Sequence, residues 1–539
     1  MMRASLSLPA VYHLARADLL ERIRRSSFLI VLVSAVFVGF LSVPPIGAGY
    51  RVLQVGTQRG VYDSAWIGLM FGLIAALHLP LVGFYLVRNA VDRDRQTGVG
   101  EILATTPISK PAYVLGKWLS NVSVLVLILA VMTLMAGVMQ LVRAEDTAIR
   151  LGALVPNIWL MSVPVLAVAA ALAVLFECTP VLRSSWGNVI YLFLWLFSIA
   201  LVLGGSMNSE AGPGVVRPKA DLYSFSRPVA TIQQQLLAVD PEADVSSGLA
   251  IIGPDIEGTF VWTGFRWTAG IVLERLRWLG LALLLALAAA IPFDRFDPAR
   301  ARRRTEATAI QADDEPVSAA AVPVGGAIRL APLSASPRRW AFPGLLAAEL
   351  KLVLRGQKPL WYLGAIALNL ACLFNPSTPV QRYLLLAVWL WPLALWSRMG
   401  VRERRFNTEQ LVFSAQRPVL RQLPATWLAA VLVTVLAGFG AWLHLALAGE
   451  AVSVVGWFAG ALFVPALALA LGTWTGTSRA FEAGYLLLWY LGAFEGIPVL
   501  DFTGTSAADG EIWMPIVYVA LAGGLVLLAM IGRHRRLRA

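Results

Sequence analysis

Leu-Ser-Asn-Val-Ser-Val-Leu-Val-Leu-Ile-Leu-Ala-Val-Met-Thr-Leu-Met-Ala-Gly-Val-Met-Gln-Leu-Val, residues 119–142, runs without one charged side chain. At 1.5 Å per residue such a run makes a helix of about 36 Å, enough to cross a hydrocarbon core of about 30 Å. Lipid offers the backbone no hydrogen-bond partner, so a spanning segment must be a helix or part of a closed barrel. The run lacks the period-2 alternation of a barrel strand. It reads as a transmembrane helix.

Blocks of the same kind recur on both sides of it. In the first half they lie near 27–47, 65–87, 154–176, 185–204 and 276–292; in the second, near 359–375, 383–398, 426–447, 453–474, 481–499 and 512–531. The expected fold class is therefore all-α, a polytopic transmembrane helical bundle of about twelve spans in two six-helix repeats. Composition agrees. Of 539 residues, 58% are apolar and 14% charged, with a mean hydropathy of +0.70, whereas a soluble chain carries roughly 25% charged residues.

Basic residues set the orientation. They concentrate at both termini and in the even-to-odd connections, which the positive-inside rule places in the cytoplasm. The expected location is the cell membrane, multi-pass, with both termini cytoplasmic. The +12 net charge then faces acidic lipid at the inner surface and requires no nucleic acid partner. Cys178 and Cys372 are far apart and read as small buried hydrophobes.

Three regions are expected: a first six-span half over 1–292 with a polar outer loop at 205–275, a flexible cytoplasmic linker at 293–341, and a second half over 342–539. The linker carries Arg302-Arg303-Arg304, then Asp313-Asp314-Glu315, then an Ala/Pro/Gly/Ser-rich tract. The halves share matched segments. Val163–Ala169 pairs with Val464–Ala470, Trp118-Leu119 with Trp427-Leu428, Ala17-Asp18-Leu19 with Ala348-Glu349-Leu350, and Pro80 with Pro392 ahead of Arg88 and Arg398. Repeats of this kind mark transporters. Each half also opens with an amphipathic helix expected to lie in the interface plane. In the first, Tyr12, Leu19, Leu20 and Ile23 oppose Asp18, Glu21, Arg22 and Arg24; in the second, Leu346, Leu350, Val353 and Leu354 oppose Lys351 and Arg355.

Between the second and third spans lies a connection of about thirty residues where a few would suffice. It reads Val91-Asp92-Arg93-Asp94-Arg95-Gln96-Thr97-Gly98-Val99-Gly100-Glu101-Ile102-Leu103-Ala104-Thr105-Thr106-Pro107-Ile108-Ser109-Lys110, with Gly116-Lys117 following. Charges for orientation, a short apolar cluster at Ile102 and Leu103, and Pro107 to end a short helix suit contact with a soluble protein.

This run resembles the cytoplasmic segment of type-two ABC transporter permeases, here in a double-length form. The matching elements are Asp94-Arg95, Thr97-Gly98, Glu101, Leu103, Thr106-Pro107 and Gly116-Lys117. The resemblance implies a permease that exports an unidentified, hydrophobic or amphipathic substrate and takes its energy from a separate ABC ATPase subunit. By the same resemblance the segment is a coupling helix seated in a groove of that ATPase, and these residues are contacts rather than catalysts. The second half keeps Glu409 and Leu411 in register with Glu101 and Leu103 but lacks the Thr-Gly, Thr-Pro and Gly-Lys pairs. Family permeases of six spans often dimerise; a twelve-span chain could supply both halves itself, and a homodimer stays open.

The sequence holds no P-loop, because Gly116-Lys117 lacks the upstream glycine and the following Ser or Thr that phosphate and Mg²⁺ require. It has no His-Glu-x-x-His motif and no Gly-x-Ser-x-Gly elbow. No enzymatic activity, cofactor or metal is therefore expected of this chain, and ATP is left to the partner. Mid-span polarity is limited to His78, Asn188 and Asn369 with some Ser and Thr. His78 and Pro80 are the candidate pathway residues, although a histidine satisfied within the bundle is the plainer reading. An ion-coupled secondary transporter is the first alternative, disfavoured by the lack of buried mid-span carboxylates. A membrane enzyme or a non-transporting scaffold is the second.

Overall fold

The computed structural model describes residues 7–45, 50–143, 145–207, 221–242, 245, 247–252, 258–296, 341–355, 357, 359–376, 380–406, 408–414, 418–494, 497–504 and 513–538. The linker expected at 293–341 falls almost wholly outside them, as do parts of the outer loop. The chain divides into two compact units, Met1–Asp314 and Glu315–Ala539.

In the first unit the helices are α1 (Leu8–Ile23), α2 (Ser26–Leu41), α3 (Ser64–Val87), α4 (Ala90–Gln96), α5 (Val99–Thr105), α6 (Lys110–Arg143), α7 (Leu151–Cys178), α8 (Ser185–Met207), α9 (Ser226–Val239) and α10 (Ala269–Ala288). The second unit continues with α11 (Ala341–Leu354), α12 (Pro359–Phe374), α13 (Leu385–Leu390), α14 (Leu393–Trp396), α15 (Arg402–Arg405), α16 (Glu409–Phe413) and α17 (Pro418–Ala437). It ends with α18 (Phe439–Leu447), α19 (Ala451–Thr475), α20 (Ser478–Leu488) and α21 (Trp513–Arg538). The protein is an all-α polytopic membrane bundle.

Among the described residues, six helices are long and apolar enough to cross a bilayer, and they answer to six of the twelve expected blocks. Of the others, α2 and α12 are 16 residues long, two blocks are interrupted, and α10, though 20 residues long, carries Glu274, Arg275 and Arg277 in its first half. The block at 383–398 is a π-helical turn, Val380–Leu384, then α13 and α14 separated at Pro392, whose missing N–H breaks the ladder. The block at 481–499 is α20 passing into a π-helical turn at Trp489–Phe494. The sixth block begins at Ala269 rather than near 276.

The same side-chain latch ties the fifth block to the second in each unit. Tyr191 Oη donates to the Pro80 carbonyl at 2.9 Å and Trp195 Nε1 to the Leu77 carbonyl at 2.8 Å. Tyr485 Oη donates to the Trp389 carbonyl at 2.6 Å and Trp489 Nε1 to the Leu386 carbonyl at 3.1 Å. In each pair one acceptor, Leu77 or Trp389, lies three residues before a proline, Pro80 or Pro392, where interruption of the helical ladder leaves carbonyls open to side-chain donors. Replacing Tyr191 or Tyr485 with phenylalanine is expected to cost about 1 kcal/mol each. Thermal unfolding of the purified chain checks this, and an unchanged midpoint in both variants would show that the latch contributes nothing.

At the opposite end from the elbow, connections pair into a small sheet that the sequence did not reveal. Its strands are β1 (Tyr50–Val55), β2 (Gln58–Gly60), β3 (Ser247–Ile252) and β4 (Gly258–Phe260), in the order β3-β1-β2-β4, with β2 and β4 parallel. Arg59 on β2 is buried and bonds the Glu145 carboxylate at 2.7 and 3.0 Å. That bond holds the Glu145 carboxyl below its ordinary range. Residues 50–60, 145–150, 247–252 and 258–260 thus meet at one end of the unit, as alternation of spans requires.

Candidate functional site

Gly98 separates α4 from α5 with φ of +76°, a left-handed conformation open to glycine at little cost. The chain turns there, and α4, α5 and the start of α6 form an elbow at the end of α3.

A buried ionic hub fixes the elbow to the bundle. Asp18, on α1 and 5% exposed, bonds Lys117 at 2.9 Å, the Ser120 hydroxyl at 2.6 Å and Arg22 at 3.0 Å, and it also pairs with Arg93. Burial alone would raise the Asp18 pKa, but Arg22, Lys117, the Ser120 hydroxyl and Arg93 together hold its carboxyl well below the usual carboxylate range. Lys117 also reaches Asp94 at 2.8 Å, and Asp94 accepts from the Tyr113 hydroxyl at 2.8 Å. From α7, Glu177 accepts the Val91 backbone N–H at 2.6 Å. Arg93 bonds Glu21 as well, at 3.0 Å.

This arrangement corrects the amphipathic reading of α1. Val11, Ala15 and Asp18 turn inward, while Tyr12, Leu20 and Ile23 are exposed. Asp18 and Arg22 turn inward because they find partners there, while Glu21 and Arg24 of the same stripe stay exposed.

The residues that follow α10 clasp the elbow from another side. Arg95 bonds Asp294 at 2.9 Å, Lys110 donates to the Phe293 carbonyl at 2.6 Å, and Arg295 donates to the Thr106 carbonyl at 2.6 Å. Tyr113 stacks on Phe293 at 4.8 Å, and a Cβ at Gly100 would meet the Phe296 ring at 2.6 Å.

The expected contact residues therefore divide by position. Asp94, Gly116 and Lys117 are buried and hold the elbow together; Arg95, Leu103 and Thr106 are half-buried. Thr97, Glu101 and Pro107 lie on the open face, joined there by Val99 and Ile102, the latter 66% exposed. His78 is half-buried, and the Pro80 carbonyl is taken by the Tyr191 latch. Asn188, expected at mid-span, sits at the elbow end, where its side chain bonds Arg88.

The second unit builds a related elbow from different side chains. Glu349 on α11, 2% exposed, accepts from Arg402 at 2.8 Å and from Gln422. Arg533, from the end of α21, bonds Glu409 at 2.6 Å and Glu403 at 3.3 Å and lies over the Phe413 ring at 4.5 Å. Glu409 is thus turned to an internal partner, while Leu411 is 77% exposed.

Asp18, Glu177, Asp294 and Arg533 escaped the sequence reading as site residues. For Glu177, Asp294 and Arg533 the signal was a charge within two residues of an apolar block; Asp18 lies nine residues ahead of one and carried no such signal.

Long apolar helices that carry a charge-tied polar elbow at one end define a multi-pass membrane protein. Residues 12–297, more than half of the chain, match the ABC-2 family transporter protein family, and the chain belongs to that family. It is a membrane permease of the ABC transporter type. No curated protein matches the chain.

Proposed function

We propose that this chain is the permease of an ATP-driven exporter, with ATP bound and hydrolysed by a separate ABC ATPase polypeptide. The elbow at 92–117 seats on that ATPase through Thr97, Val99, Glu101, Ile102 and Pro107, and the buried hub passes the displacement to α1, α6 and α7. The observation that carries this reading is the division of the elbow: an open face mixing acid and apolar groups, backed by charges spent on internal partners. Both termini and the elbow lie on the cytoplasmic side of the cell membrane. The two halves arose by duplication, as the recurring Tyr-Trp latch and the buried acid on the first helix of each unit support, and one chain then supplies both halves. A hydrophobic or amphipathic substrate suits walls with so few mid-span charges.

The test is co-purification with the cognate ATPase and the ATP turnover of the complex. Glu101→Arg combined with Ile102→Asp is expected to weaken association at least about tenfold, as loss of a central interface contact does. Association and turnover that survive both changes would refute the coupling assignment.

A further inference from the structure

One continuous run, residues 258–296, is fastened to both ends of the first unit. At its start β4 pairs with β2, and the rings of Phe260 and Trp262 lie 5.4 and 6.3 Å from Trp66. Trp267 Nε1 then donates to Asn157 Oδ1 at 2.9 Å. In the first turns of α10, Arg275 is 5% exposed and donates to the Leu222 carbonyl at 2.8 Å and to the Asp221 carbonyl. Its neighbour Glu274 pairs with Arg227 on α9 at 2.7 Å. Midway along, Ala282 and Ala286, one turn apart, pack on Ala167, Val168 and Ala171 of α7. Small residues at this spacing let helix backbones approach closely. At the far end Asp294, Arg295, Phe293 and Phe296 grip the elbow as described above.

Backbone conformation marks both attachments. Among the described residues, positive φ at a non-glycine occurs at Ser224 (54°), Arg295 (54°) and Phe296 (60°). The first lies beside the carbonyls that Arg275 holds; the other two lie in the elbow clasp. Such conformations persist where surrounding contacts over-determine them. A helix of 20 residues is about 30 Å long and stiff, and here its two ends are held by charged or strained contacts rather than by slack loops.

We propose that α10 is a strut linking the elbow to the outer sheet, so that loosening one end loosens the other. Asp294 and Arg275 are its positioning residues. The inference goes beyond the ATPase-coupled reading, and only the choice of the elbow as the input end rests on it.

Hydrogen–deuterium exchange of the full chain in lipid nanodiscs, without any ATPase, tests the strut. Asp294→Lys sets a second cation against Arg95, and it is expected to speed exchange in residues 50–60 and 258–262 about tenfold, within the usual range of coupling between sites. Because coupling is reciprocal, Arg275→Met is expected to speed exchange in residues 90–105 by a similar factor. Arg95→Glu with Asp294→Arg restores an ion pair and should bring the outer strands back to wild-type protection. No change at the far end in either single variant overturns the proposal, whatever happens near the substitution. So does an equal rise in residues 124–136, which would mean general loosening. Failure here leaves the Glu101 and Ile102 test untouched, since it requires no partner protein.

Discussion

Replacing Asp18 with alanine is expected to destabilise the first unit by about 3–5 kcal/mol, the usual cost of removing one partner from a buried ionic group. Arg22, Arg93 and Lys117 would each lose the anion that offsets their desolvation; Lys117 keeps Asp94 and Arg93 keeps the more exposed Glu21, while Arg22 loses its one ion-pair partner among the described residues. Thermal unfolding in detergent, followed by the survival of the monodisperse species, measures the loss. An Asp18→Ala midpoint equal to that of wild type would show that the hub is decorative. A second comparison separates charge from packing: Asp18→Leu with Lys117→Met should lose less than Asp18→Ala with Lys117 intact, because one stranded cation is removed as well.

The pH dependence has a defined sign. A carboxyl whose native pKa is depressed contributes stability that is fully present above its unfolded value, about 3.9 for Asp, and is lost as pH falls through the lower native value. Asp18 should therefore contribute no pH dependence to stability between pH 5 and 8.

Substituting Gly68 and Gly72 together with isoleucine is expected to abolish the folded first unit. These glycines stand one turn apart on α3, in Gly68-Leu-Met-Phe-Gly72, and bring its backbone against that of α7. A Cβ at Gly68 would lie 2.8 Å from the Leu154 carbonyl oxygen, and one at Gly72 would lie 2.6 Å from that of Asn157. Neither obstacle is the end of a flexible side chain, so the helices must separate. Overpacking costs about 1–3 kcal/mol per site, and separation would also expose the Asn157 side chain that bonds Ala65 and Trp267. Yield of monodisperse protein after extraction is the readout. Wild-type yield and melting for the double variant would mean that α3 and α7 do not pack as described.

Spans and elbow were legible in the sequence because their signals are local. Hydrocarbon thickness sets the length of an apolar run, and a connection of thirty residues between two such runs stands out. What could not be read depended on partners distant in sequence. Asp18 looked like the polar edge of an interfacial helix; its orientation is decided by Arg93 and Lys117, which lie far along the chain. Asp294 looked like the start of a linker, although it pairs with Arg95. Strands β1 and β3 are six residues each and lie in separate loops, so neither carries enough pattern to announce the other. The latch was readable in principle, because Tyr191-Leu-Phe-Leu-Trp195 and Tyr485-Leu-Leu-Leu-Trp489 are nearly the same words. In apolar sequence such likeness is common, and shared hydrogen-bond acceptors are what give it meaning. The two interrupted blocks show the converse: composition reports that a segment is apolar, not that one unbroken helix fills it.

The sheet has a consequence for how the protein is made. Its longest pairing joins Tyr50 to Ile252, so the strand at 50–55 leaves the insertion machinery about two hundred residues before its mate exists. At a synthesis rate of about 5–20 residues per second, that strand waits roughly ten to forty seconds with an unsatisfied backbone edge. The end of the first unit opposite the elbow consequently cannot close until residue 252 has been made, and a nascent chain stalled before residue 247 would carry an adhesive border there.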